Sequence, residues 1–188
     1  MKNLNDIEII DSVKRGNQAD FALLIERYKN RAFSMLKRLL KNEMDAEEAL
    51  QDSFLKAYNS LNSFKGEAKF STWLYRIVYN TAMTVIAAKK RKTEKEMISI
   101  DESFEIESCD SEIYSKAENV DHYIIKMVEK LPPRNALIII LYYIDDLSLN
   151  EISSIMGLSL VNVKVMLHRS RSALKDLVVK HNLQEELR

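Results

Sequence analysis

The chain has 188 residues, 46% of them apolar and 30% charged, and its 28 basic side chains are balanced by 28 acidic ones. This is the composition of a soluble globular protein of one ordinary domain or two small ones, and it excludes a chain disordered throughout. The longest apolar run, ALIIILYYI at residues 136–144, is about half the length a membrane-spanning helix needs. With no signal-like segment at the N-terminus, no membrane insertion and a cytoplasmic location are expected.

An all-α protein is expected: only three glycines occur, Gly16, Gly66 and Gly157, and each falls between helical patterns. A short first helix carries Ile9, Ile10 and Val13. Phe21, Leu24, Ile25, Tyr28, Ala32, Met35, Leu36 and Leu39 keep a 3.6-residue rhythm through a long second helix. A third is expected to start at Asp45, to bury Ala46, Ala49, Leu50, Ser53, Phe54, Ala57 and Tyr58, and to end near Leu61. After the loop NSFKGEAKF, the stretch FSTWLYRIVYNTA reads as a fourth helix capped by Ser71, with Leu74, Ile77, Val78, Thr81 and Val85 on its buried stripe. It ends in the basic run KKRK at residues 89–92. Rotation by 100° per residue puts Thr72, Arg76, Tyr79, Asn80, Met83 and Ala87 together on the side expected to face water. Those residue types are unusual for a solvated face, where Lys and Glu ordinarily sit.

Periodicity stops over residues 94–118, where acidic residues and serines accumulate, and this stretch reads as a flexible linker. Residues 1–95 carry 18 basic and 12 acidic side chains, residues 96–120 carry 1 and 8, and residues 121–188 carry 9 and 8. A basic head, an acidic strap and a nearly neutral tail follow one another. Three segments are thus expected: a helical domain over 1–93, the linker over 94–118, and a second helical domain over 119–188.

In the last segment Pro132 and Pro133 open a helix. Ser148 and Glu151 make a capping box for a short helix, Gly157 permits a tight turn, and Ser159 caps a longer helix burying Val163, Leu167, Ser170, Leu174 and Leu177. The pattern is a helix-turn-helix. Its second helix would display Val161, Asn162, Lys164, Val165, His168 and Arg169, the side that enters a major groove in such motifs. A helical hairpin with an ordinary solvated face is the alternative.

Nothing in the sequence suggests an enzyme. The single Cys109 lies in a polar stretch with no histidine nearby, and His122, His168 and His181 are far apart. No nucleophile motif or glycine-rich phosphate loop occurs, and no metal or cofactor is expected. Net zero charge also argues against a protein that holds DNA alone, since counterion release supplies most nonspecific affinity.

With both halves in view the chain resembles the extracytoplasmic-function sigma factors of bacterial RNA polymerase. The resemblance is carried by DAEEALQDSFLKAYNSLNSFKGEAKFSTWLYRI at residues 45–77 and LPPRNALIIILYYIDDLSLNEISSIMGLSLVNVKVMLHRSRSAL at residues 131–174, similar to that family's second and fourth conserved regions. It implies a promoter-specificity subunit that binds core RNA polymerase and promoter DNA, is monomeric when free, and is a target for an anti-sigma factor. It implies polymerase binding through Asp45, Glu48, Gln51, Asp52 and Leu55. On the −10 side it implies contacts to melted DNA from Phe64, Lys65, Lys69, Arg76, Tyr79, Asn80, Met83, Lys89, Lys90 and Arg91, because stacking surfaces and edge hydrogen bonds are what hold unpaired bases. Trp73, at the border of the buried stripe, is expected in the core. On the −35 side the resemblance implies duplex contacts from Arg134, Ser159, Val161, Asn162, Lys164, Val165, His168 and Arg169. The chain departs from the family's pattern at Val165 and Met166, where a small polar residue and an arginine are usual, and at Ala87 and Ala88, where arginines are frequent. Rival readings are an autonomous helix-turn-helix repressor, which would dimerise, and a protein-binding adaptor that never touches DNA.

Overall fold

The computed structural model describes residues 4–96 and 119–186, and every regular element among them is helical. Helix α1 (Asp6–Lys14) starts with a reciprocal cap: the Asn5 side chain accepts from the Glu8 amide at 2.9 Å, and the Glu8 carboxylate accepts from the Asn5 amide at 2.7 Å. A 3-10 turn (Gln18–Asp20) leads into α2 (Phe21–Leu40), then come α3 (Glu43–Ser60), a second 3-10 turn (Leu61–Ser63) and α4 (Phe70–Glu96). Helices α2, α3 and α4 pack against one another in all three pairs, with α1 laid against α2. Their core contains Ile9, Leu24, Leu36, Leu61, Leu74 and Val78, none more than 2% exposed, and each buried aliphatic side chain of this size contributes about 1.5–3 kcal/mol.

The expected rhythm of α1 and α2 is present, with Ile25 and Tyr28 half-buried at its edge. Helix α3 begins two residues before the expected Asp45, because Asn42 caps it by accepting from the Asp45 amide at 3.0 Å. Leu50 and Tyr58, expected in the core, are half-buried. Ser71 is not the cap of α4: the helix already includes Phe70, and the Trp73 amide bonds the Lys69 carbonyl at 3.2 Å. Helix α4 also runs past its expected end in the KKRK run at 89–92 and continues to Glu96. The rest of the expected linker, 97–118, lies outside the described residues, as do Cys109 and the carboxylates of the acidic strap there.

A second compact unit is built on α5 (Asn119–Glu129), α6 (Pro133–Tyr143) and α8 (Leu160–Glu186), α6 packing on both of the others. The proline pair does open α6, with Pro132 as its cap residue. Ala136, Leu137, Ile138, Ile139, Ile140 and Leu141 are all buried, a helix covered on nearly every side, whereas Ile144 is 47% exposed just beyond its end. Helix α7 (Leu149–Met156) has the expected capping box between Ser148 and Glu151. Gly157 ends it at φ +63°, a left-handed conformation that glycine adopts without strain. Ser159 accepts from the Asn162 amide at 3.2 Å and starts α8.

Candidate nucleic-acid and polymerase interface

Three surfaces stand out. The first follows from the way α4 is wedged between two neighbours. A helix that touches one partner buries a single stripe, but α4 meets both α2 and α3, so its buried arc is wider: Thr72, Leu74, Tyr75, Val78, Tyr79, Thr81 and Ala82 are all within 3% of full burial. This overturns part of the expected exposed face. Tyr79 and Thr72 are core residues; Tyr79 stands one turn after Tyr75, whose ring meets Tyr28 of α2 at 6.2 Å. What remains open is a narrow strip with Arg76, Asn80, Lys90 and Arg91 exposed and Met83 and Ala87 half-buried. Asn80 is exposed, and its backbone carbonyl accepts from the Thr84 hydroxyl at 2.9 Å.

Phe64 likewise lies at 9% exposure, its ring 5.7 Å from Phe70 and 5.4 Å from Trp73. Its ring is therefore packing and not a free stacking surface. Trp73 is half-buried in the same cluster, in keeping with its expected core role. Residues 65–69, with Lys65 and Lys69 among them, are exposed throughout, on a turn that Gly66 makes at φ +77°.

The second surface is the outer side of α3. Glu48, Gln51, Asp52 and Leu55 are exposed, Leu55 at 58%. Gln51 and Leu55 border an apolar groove of about 580 Å³ between α2 and α3, walled by Phe21, Ala22, Ile25, Leu50 and Phe54. Asp45 differs from the rest. Its carboxylate pairs with Lys89 of α4, and its side chain is only 22% exposed. Lys89 thus turns toward α3, away from the Arg76–Asn80 strip, and the two candidates assigned to different partners meet each other. Asp52 pairs with Lys56 at 3.5 Å one turn on, and Lys56 also donates to Thr81 of α4 at 3.3 Å.

The third surface is the start of α8. Ser159, Val161, Asn162, Lys164, Val165, His168 and Arg169 are all exposed, while Val163, Leu167 and Ser170 are buried behind them; Leu174 and Leu177 are half-buried further along. Arg134 is exposed in the first turn of α6. Sequence reasoning passed over Arg171, seven residues after Lys164 and so on the same side. Its guanidinium lies over the rings of Tyr142 and Tyr143 at 5.7 and 5.4 Å, a cation–π arrangement that holds it at the edge of the face. The i+7 spacing was the available signal. Among the described residues no cluster of His, Cys, Asp or Glu could hold a metal, and no helix is long and apolar enough to cross a membrane.

Comparison with known proteins matches both parts of the chain. Residues 24–92 match sigma-70 region 2 and residues 121–174 match sigma-70 region 4. The ECF RNA polymerase sigma-E factor of Salmonella typhimurium is 31% identical over 184 residues, covering 94% of this chain and 96% of that one. The ECF RNA polymerase sigma factor SigW of Bacillus subtilis is 33% identical over 175 residues, covering 88% and 92%. The sigma factor RpoE of Bartonella quintana, solved with the anti-sigma factor NepR, has the same fold, with a TM-score of 0.66 at 20% identity over 85% of this chain and 96% of that one. CnrH, solved with the cytosolic domain of CnrY, gives 0.60 at 22% identity over 92% and 96%. By sequence over nearly its whole length, this chain belongs to the extracytoplasmic-function sigma factors of bacterial RNA polymerase, and it is an alternative sigma factor that directs the initiation of transcription.

Proposed function

We propose that the three surfaces divide the work of initiation. The groove between α2 and α3, with Gln51 and Leu55 on its rim and Glu48 and Asp52 beside it, receives an apolar helix face of core polymerase. The strip Arg76, Asn80, Met83, Lys90 and Arg91, with Lys65 and Lys69 on the adjoining turn, holds the melted −10 strand. The outer side of α8, from Ser159 to Arg169 with Arg134 nearby, reads the −35 element as duplex. The chain contributes no catalytic group of its own, is monomeric when free, and is held inactive by an anti-sigma factor that covers the same docking groove. The two sigma domains span 1–93 and 119–188, and the acidic stretch 94–118 between them, whose carboxylates can imitate phosphates, occupies a basic path on the polymerase.

The observation that carries this reading is Asn80: an exposed amide set among the buried residues Val78, Tyr79, Thr81 and Ala82 of its helix, offering a donor and an acceptor with no structural duty of its own. Asn80→Ala is tested by thermal melting, by capture of core polymerase, and by transcription from a normal promoter beside one with the −10 box already unpaired. Melting and capture should be near normal, while transcription falls about five- to 150-fold, the equivalent of one base contact, with relaxed sequence preference on both templates. Full and unchanged preference on the unpaired template would remove Asn80 from strand reading. A stable homodimer that binds duplex DNA tightly without polymerase would replace the whole reading with the repressor.

A further inference from the structure

The turn that carries Lys65 and Lys69 is not held by its own unit of sequence. Lys14, the last residue of α1, extends its side chain across to the loop and donates from Nζ to the Phe64 carbonyl at 2.8 Å. Phe64 is thereby fixed at three points. Its ring is packed between Phe70 and Trp73, its amide donates to the Leu61 carbonyl at 3.1 Å, and its carbonyl takes the ammonium. The peptide that follows is planar, so fixing the Phe64 carbonyl also fixes the direction of the Lys65 amide and the plane from which the exposed turn departs.

Helix α1 is anchored to the same aromatic row at its other end. The Asp6 carboxylate accepts from the Tyr28 hydroxyl and pairs with Arg27, and Tyr28 rests 5.6 Å from Phe70. One short helix therefore bridges the base of α2 and the start of the loop. A hydrogen bond from an ammonium is among the stronger ones available to a carbonyl, and a carbonyl can accept it only along a limited range of directions.

We propose that Lys14 is a positioning residue for promoter reading: through the Phe64 carbonyl it sets the course of residues 65–69, and so the identity of the unpaired nucleobase that the loop accepts. The inference rests on the reading above that Lys65 and Lys69 face melted DNA. Lys14 acts without touching the strand, which separates it from a lysine that contacts a phosphate. Loss of a phosphate contact weakens binding evenly across sequences and lowers the salt slope. Loss of a positioning contact narrows the preference between bases.

The test uses the full chain with core polymerase on a promoter whose −10 box is already unpaired, with each of the four bases in turn at every position of the box. Lys14→Met keeps length and removes the donor. Its ratio of transcription between the preferred and disfavoured base should shrink by about three- to tenfold at one position, with polymerase capture unchanged, and Lys14→Arg, which restores a charged donor, should recover it. If Lys14→Met does not fold, Lys14→Ala carries the same comparison, because it too has no donor and suits an exposed helix end. An even drop for all four bases, or no rescue by arginine, overturns the proposal. Lys65→Ala and Lys69→Ala are run beside it. If they change the preference and Lys14→Met does not, the positioning role alone falls; if they too leave every preference unchanged, the loop reads no base and both readings fall.

Discussion

At the scale of single residues, Tyr79 and Asn80 are neighbours with opposite duties. Tyr79→Ala empties a packed site in the core around α4 and should cost about 3–5 kcal/mol of stability, with polymerase capture and transcription lost together as the unit unfolds. Asn80→Ala should leave the melting temperature within a few degrees of the parent. Thermal melts of the two variants check the contrast. Tyr28 makes a second prediction. Burial, and after it the hydrogen bond to Asp6, push its hydroxyl far above the usual tyrosine range. The folded state therefore keeps this proton longer than the unfolded chain does, so its contribution to stability is intact below about pH 10 and declines as pH rises beyond it. Tyr28→Phe, which has no proton to lose, should show a shallower fall in stability between neutral and strongly alkaline pH, measured by urea titration at each pH against the parent.

At the scale of helices, the pair between Asp45 and Lys89 ties α3 to the far end of α4. Both side chains are partly open to solvent, which limits the pair to about 1 kcal/mol or less. Asp45→Lys alone and Lys89→Glu alone each place like charges together, and the double reversal restores an opposite pair. The double variant should regain most of the melting temperature lost by either single one, and a double-mutant cycle measures how much. The same pair marks where sequence reasoning reached its limit. Several helix starts and stops were legible from one local device, namely the proline pair before α6, the Ser148 and Glu151 box, Gly157 and the Ser159 cap, whereas the Asn42 cap that starts α3 was passed over. The outer side of α8 was legible because its buried residues keep one stripe. Tyr79, Thr72 and Phe64 were misread because burial there depends on how many neighbours surround α4 and the loop, which periodicity along one helix does not contain. The Asp45–Lys89 and Lys14–Phe64 contacts span 44 and 50 residues, and no spacing rule joins residues so far apart.

At the scale of the whole molecule, charge decides how the protein meets DNA. The basic excess of residues 1–95 is offset by the acidic strap, and the total is zero. Free chain should therefore bind promoter duplex no tighter than about micromolar at physiological salt, with tight and sequence-selective binding only once polymerase is added; fluorescence anisotropy with and without core polymerase checks both. The two compact units have separate hydrophobic cores, one including Leu24, Leu36 and Leu74 and the other including Leu137 and Ile138. Separate cores need not melt together. A calorimetric scan should resolve two heat-absorption peaks, with Leu74→Ala lowering one and Leu137→Ala the other, each by the equivalent of about 3 kcal/mol. Where the peak that Leu137→Ala lowers is the lower of the two, a cell warmed to a temperature between them would hold sigma factor whose N-terminal unit is folded and whose C-terminal unit is not, so that heat alone would shift transcription toward promoters whose −10 element suffices.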